Sequence, residues 1–246
     1  MSQFFYAPDP ANVGISPAPR WSYQWEASTN TTLTVEDPAG EDINVRFTGT
    51  DSGNIDNGHF RLDTDSAGNS LAGLTDVETY HELLYVTLGN RQGVLQSALR
   101  TQTTANTGYA AGLRAQSDSI QIIRINSNSR STLASTGFSA QAGVRYSVRS
   151  QVIGATIKTK VWPTADPEPV SWSLTHTDTA PISAAGGVGL YSVFPENENT
   201  RVFKYGVGTN GDTAPTAPVA TGPITPINLS TTNILTTSAR LNWEQG

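Results

Sequence analysis

The chain has 246 residues, of which 37% are hydrophobic and 15% charged, with no cysteine and a formal net charge of −6. That charge excludes general binding to nucleic acid, which needs a basic footprint, and no run of roughly 20 apolar residues is present to cross a membrane as a helix. The abundance of Thr, Ser, Asn and Gly suits pleated strands and turns, not a helical bundle.

The opening MSQFFYAPDP has neither the positive nor the apolar stretch of a secretory signal. Residues 1–20 contain Pro8, Pro10, Pro17 and Pro19 and no alternating run, which predicts an extended arm. Exposed Phe4, Phe5 and Tyr6 would cost solubility, so this arm is expected to dock against a neighbour. From Trp21 onward a period-2 pattern recurs. It predicts strands near 31–35, 43–48, 58–63, 77–88, 93–101, 108–115, 119–125, 130–135, 144–153, 156–162, 170–176, 187–194 and 200–208. Turn clusters such as DPAGED, DSAGNS and GNRQG separate them. So many strands exceed what one open sheet holds. The predicted fold over 21–208 is all-β, a two-sheet antiparallel jelly-roll sandwich.

The clearest hairpin is VRYSVRSQVIGATIKTKVW. Gly154-Ala155 supplies a glycine at the first central position, as a type II′ turn requires. This register pairs Val152 with Ile157 and Val148 with Val161 on one face. The other face carries Arg145, Arg149 and Gln151 against Lys158, Lys160 and Trp162. Arg149 then lies directly opposite Lys160, a destabilising arrangement. A nearby acid or an anionic ligand is expected to compensate.

After Gly208 the pattern changes. Residues 209–224 are proline-rich and read as a linker, whereas 225–246 resume alternating Ile and Leu and close on Leu241-x-Trp243. Twenty residues cannot form a sandwich alone, so either the natural chain is expected to continue or this tail to dock on a partner.

The segment from Tyr109 to Asp212 resembles the concanavalin A-like (laminin-G-like) jelly roll of bacteriophage tail and minor structural proteins. The likeness rests on GYAAGLR, YSVRSQVIGATIKTKVWPTADPEPVSW, THTD, GGVGLYSVF and RVFKYGVGTNGD. ITPINLSTTNILTTSARLNW is similar to the first two strands of a fibronectin type III module. The resemblance implies two curved sheets, with the concave face or its rim loops as the usual ligand site. It also implies a virion protein made in the host cytoplasm, with other tail proteins and host-surface polysaccharide as partners, and a homo-oligomer. The same arrangement occurs in secreted carbohydrate-active enzymes, so an accessory carbohydrate-binding module and a ligand-free scaffold are the alternatives.

VWPTADPEPVSW places Trp162 and Trp172 around three prolines and two acids. Trp162 among Lys158, Lys160 and Arg149 has the composition of a sugar platform, an indole face beside groups that bind hydroxyls. The same pattern also suits an indole packed under the 163–169 loop and against Trp172. Glu78 and Glu82 share a strand face but stand about 13 Å apart, beyond the roughly 5–9.5 Å that glycoside hydrolysis uses. They are expected to neutralise the Arg149/Lys160 cluster, and no catalytic residues are assigned. His59, His81 and His176 have no paired spacing. In the TDSGNIDNGH loop, Asp51, Asn54 and Asp56 offer the oxygen ligands calcium takes, with Asn57 beside them, though any turn uses the same residues. No other cofactor is expected.

Overall fold

The computed structural model describes residues 2–15, 18, 20–25, 31–39, 42–49, 56–65, 67–88, 94–102, 106–127, 129–194, 199–218, 229–231 and 241–243. Each predicted strand is met by an observed one, although that expected over 170–176 is confined to Leu174–Thr177 and the predicted arm adds an unexpected strand at Ser2–Tyr6. In chain order these are β1 (Ser2–Tyr6), β2 (Trp21–Trp25), β3 (Thr31–Glu36), β4 (Asn44–Gly49), β5 (Asp56–Leu62) and β6 (Val77–Tyr85). They continue with β7 (Val94–Thr101), β8 (Gly108–Arg114), β9 (Ser119–Asn126), β10 (Ser129–Gly137), β11 (Arg145–Ile153) and β12 (Thr156–Pro163). Next come β13 (Leu174–Thr177), β14 (Gly187–Phe194) and β15 (Asn199–Thr209), then the short pair β16 (Leu229–Thr231) and β17 (Leu241–Trp243).

Two antiparallel sheets form a jelly-roll sandwich. The first runs β13-β12-β11-β6-β15-β4-β3, with β1 also on β15; the second runs β10-β9-β8-β7-β14-β5-β2. The core lies between them and takes alternate residues. On β6, Val77, Leu83 and Tyr85 join it, while Glu78, Tyr80 and Glu82 point to the outward face. The hairpin register is as predicted: Val148 faces Val161, Val152 faces Ile157, and Arg149 faces Lys160. Gly154 takes the positive φ (54°) and Ala155 does not, as in a type II′ turn.

The second sheet is strongly curved. Arg130 of β10 lies 5.6 Å over the ring of Tyr191 in β14, although three strands separate them. Both point away from the core, so that outward face is the concave one. Ala98, Ala110, Ile123, Ile125 and Tyr191 form a separate buried cluster there.

The N-terminal arm is not free to dock elsewhere. It pairs with β15, Phe4 to Val207, Phe5 to Gly206 and Tyr6 to Tyr205. Tyr6 stands edge-on to Trp21 at 5.6 Å, and Trp21 edge-on to Tyr205 at 5.8 Å. The three aromatics thus bury themselves on this chain's own sheet, which satisfies the solubility requirement internally. Phe5, 8% exposed, is expected to contribute about 2 kcal/mol. Urea unfolding of Phe5→Ser measures it, and an unchanged midpoint would show that β1 is unpaired in solution.

Candidate functional site

The outward face of the first sheet gathers the hairpin residues singled out above. Trp162, Lys158 and Arg149 therefore do not lie on the concave face expected to bind a glycan, which belongs to the second sheet. Neighbouring strands align Gln151 with Glu78, Arg149 with Tyr80, and Ser147 with Glu82. Arg149 Nη1 meets Glu78 Oε1 at 2.7 Å, and its Nε and Nη2 meet both oxygens of Glu168 at 2.7 and 3.0 Å. Lys160 Nζ also reaches Glu168, at 2.8 Å, and donates to the Pro169 carbonyl at 2.7 Å. The expected like-charge conflict is therefore real and is answered by two acids. Glu78 comes from the same sheet. Glu168 comes from the proline-rich loop itself, which folds back over the sheet.

Glu82 does not join this network, contrary to expectation. It pairs with Lys204 at 2.8 Å and Arg145 at 3.5 Å, and accepts the Tyr80 hydroxyl at 2.6 Å. Lys204 and Arg145 stand nearer to it than the Arg149 pair, so local geometry decides. Burial works against the Arg149 guanidinium, but hydrogen bonds and charge from Glu168 and Glu78 outweigh it and raise its pKa. Burial likewise opposes ionisation of Glu168, yet Arg149 and Lys160 hold it below the usual carboxylate range. Tyr80 is pushed up, first by burial and then by its bond to Glu82.

The four residues predicted to contact a glycan separate here into buried and accessible groups. Arg149, Lys160 and Trp162 are 4%, 6% and 6% exposed. The Trp162 ring packs on Tyr80 at 6.1 Å and against Ala214, so it presents no open face for a sugar to stack on. Lys160 Nζ sits between the two indoles, 5.9 Å from Trp162 and 5.1 Å from Trp172. Lys158 is half-buried, its Nζ 6.0 Å over Trp172. Trp172 is the tryptophan with accessible surface among those whose side chains are described. Beside it, Val170 is 98% exposed on a loop held by Glu168.

A cleft of about 470 Å³ opens next to this network, lined by Gln3, Arg149, Glu168 and residues 213–218. The region read as a linker begins here, and its first part is packed on the sheet, with Ala214 1% exposed. Sequence reasoning missed both Ala214 and Gln3 as parts of this face. For Glu168 a signal existed: an acid fixed between Pro167 and Pro169, a few residues after two cations.

Asp51, Asn54 and the side chain of Asp56 lie outside the described residues. Among the described residues no group of three or more His, Cys, Asp and Glu is placed to hold a metal. His59 and His81 are fully buried, and burial lowers both to a pKa of about 3. His176 is half-buried on β13, so the three histidines are not brought together as a catalytic or metal set.

No protein-family model matches the chain, and no curated protein matches it in sequence. Solved structures do resemble it. Carbohydrate binding module CBM66 from Bacillus subtilis superposes with a TM-score of 0.50 at 13% identity, covering 75% of this chain and 94% of that one. A seed lectin of Lotus tetragonolobus gives 0.51 at 12%, covering 88% and 100%. A β-1,3-glucanase from Mycobacterium marinum gives 0.54 at 9%, covering 83% and 97%. At such identities the likeness is one of fold, and the chain has the concanavalin-like jelly-roll architecture that these proteins share.

Proposed function

We propose that this chain is a non-catalytic carbohydrate-binding jelly roll, serving as an adhesive component of a bacteriophage tail. In that role it contacts host-surface polysaccharide and assembles with other tail proteins as a homo-oligomer. The observation that carries the binding role is Trp172. The residue is partly exposed on the proline-rich loop, its ring beside the Lys158 and Lys160 ammonium groups, and Lys160 in turn pairs with Glu168. An aromatic face next to fixed donors and acceptors suits the C–H face and hydroxyls of a sugar. The fold likeness to a carbohydrate-binding module and a lectin supports the same reading.

The non-catalytic reading is supported by the state of the outward carboxylates. Glu78, Glu82 and Glu168 are each engaged by cations, which leaves none poised as a general acid. The tail assignment is supported by the stretch from Tyr109 to Asp212 and by the cysteine-free composition. The antiparallel pairing of Leu229–Thr231 with Leu241–Trp243 supports reading the last residues as opening strands of a fibronectin-like module.

The test is a glycan array and a host-cell binding assay with the full chain. Trp172→Ala is expected to weaken saccharide binding at least tenfold, with the melting temperature within a few degrees of wild type. Trp162→Ala is expected to lower the melting temperature instead, because its ring is buried. Saccharide binding that survives Trp172→Ala would move the site elsewhere. No binding by wild type would leave a scaffold role.

A further inference from the structure

Residues 213–218 read Thr-Ala-Pro-Thr-Ala-Pro, the same tripeptide twice. The first copy lies across the outward face of the first sheet. The Ala214 N–H donates to Glu78 Oε1 at 3.0 Å, and its carbonyl accepts from Arg149 Nη1 at 2.8 Å. Gln3 Nε2 donates to the Thr213 carbonyl at 2.6 Å. The Ala214 methyl fills the space between Tyr80 and Trp162.

β15 is shaped to receive this segment. A Cβ on Gly206 would stand 1.9 Å from the Pro215 carbonyl oxygen, and one on Gly208 would stand 2.2 Å from that of Asp212. Only glycine admits a backbone that close. The groove therefore has a floor, a donor, an acceptor and an aromatic-walled pocket for one methyl group. Every one of these contacts addresses either the peptide backbone or that methyl. Nothing in the groove distinguishes Ala214 from Ala217.

The second copy is exposed, beside the 470 Å³ cleft that the segment borders. We infer that this face is a peptide-binding groove that recognises an extended Thr-Ala-Pro segment, and that the chain carries two ligands for it, three residues apart. Either copy fits. With Ala217 in the pocket, residues 213–215 loop out from the turn at Thr209–Asp212, where Asn210 and Gly211 already adopt positive φ. The path from the groove to β16 is then shorter by three residues, about 10 Å of extended chain. The first copy is favoured because it loops out nothing. This inference stands apart from the sugar-binding proposal, and its test involves no saccharide.

The experiment uses the full chain with alanine methyls isotopically labelled, reading contacts between those methyls and the Trp162 indole by NMR. Wild type is expected to show the Ala214 contact. In Ala214→Gln the contact moves to Ala217, and in the Ala214→Gln/Ala217→Gln double variant both are lost. Ala217→Gln keeps the wild-type contact, since that side chain is exposed. A chain carrying Thr213→Gly, Ala214→Ser and Pro215→Gly retains only the second copy and is expected to show the Ala217 contact without a glutamine to accommodate. A synthetic Thr-Ala-Pro-Thr-Ala-Pro peptide added to the double variant should shift the Trp162 resonance saturably, and a Pro-Ala-Thr control should not. Absence of the Ala217 contact from both chains that retain only the second copy, Ala214→Gln and the triple variant, or no saturable shift with the peptide, would overturn the inference.

Discussion

Arg149→Met is expected to lower the unfolding free energy by about 3–5 kcal/mol, the cost of leaving a buried carboxylate without its counter-ion. In a chain of this size that is a fall of roughly 10 °C in melting temperature. The reason is asymmetric burial. The Arg149 and Glu78 side chains are 5% and 6% exposed, whereas Glu168 is 35% exposed. Without the guanidinium, Glu168 keeps Lys160 and water, but Glu78 keeps only Gln151 and the Ala214 N–H. Glu168→Gln should therefore cost only about 1 kcal/mol, as for other solvent-screened pairs. Adding Glu78→Gln to Arg149→Met should recover about half of the loss, because the stranded charge disappears. A double-mutant cycle in urea measures all three values. A cost for Arg149→Met no larger than that for Glu168→Gln would show that water reaches the network.

Acid should destabilise this protein well before its carboxylates titrate. His59 and His81 are neutral in the folded state, with pKa values lowered to about 3 by burial, and for His59 also by the charge of Arg61. In the unfolded chain both return to about 6.5. Below that value the unfolded state binds more protons, so stability falls as pH drops and continues to fall until the folded pKa is reached. The slope is up to about 1.4 kcal/mol per pH unit for each histidine. At pH 4.5 the pair should have cost about 5 kcal/mol.

His81 has no means of accommodating a proton. Its Nδ1 lies 3.3 Å from Ser97 Oγ, and its ring stacks on Tyr205 at 5.8 Å in the core. Its Nε2 has no hydrogen-bond partner. His81→Gln is expected to halve the slope of unfolding free energy against pH between 6.5 and 4.5. Below that window Glu168 and Asp178, whose carboxyls are held low in the folded state, add their own loss. A flat profile from pH 6.5 to 4.5 would sink this account.

The sheets were legible in the sequence because each buries one face, and a period of two survives wherever that is so. The Gly154-Ala155 turn fixed the hairpin register, and with it the Arg149–Lys160 conflict and the demand for an acid. What stayed hidden was long-range. Nothing in SQFFY names β15 as its partner, since the residues it pairs with, Tyr205–Thr209, lie about two hundred residues away. Ala214 carries no charge or aromatic ring to mark it as a plug. Trp162 and Trp172 looked equivalent, because their different exposure depends on Tyr80 and Ala214, both remote in sequence from the loop.

β15 gives one edge first to β4 and then to β1, so that Ser2 stands opposite Thr209 in the same ladder. Entry to the sandwich and exit from it are thus side by side. Such a body can be grafted into a surface loop of an unrelated host with both seams at one point. Loops remote from that point stay clear of the junction, which makes the fold a head that mounts by a single root.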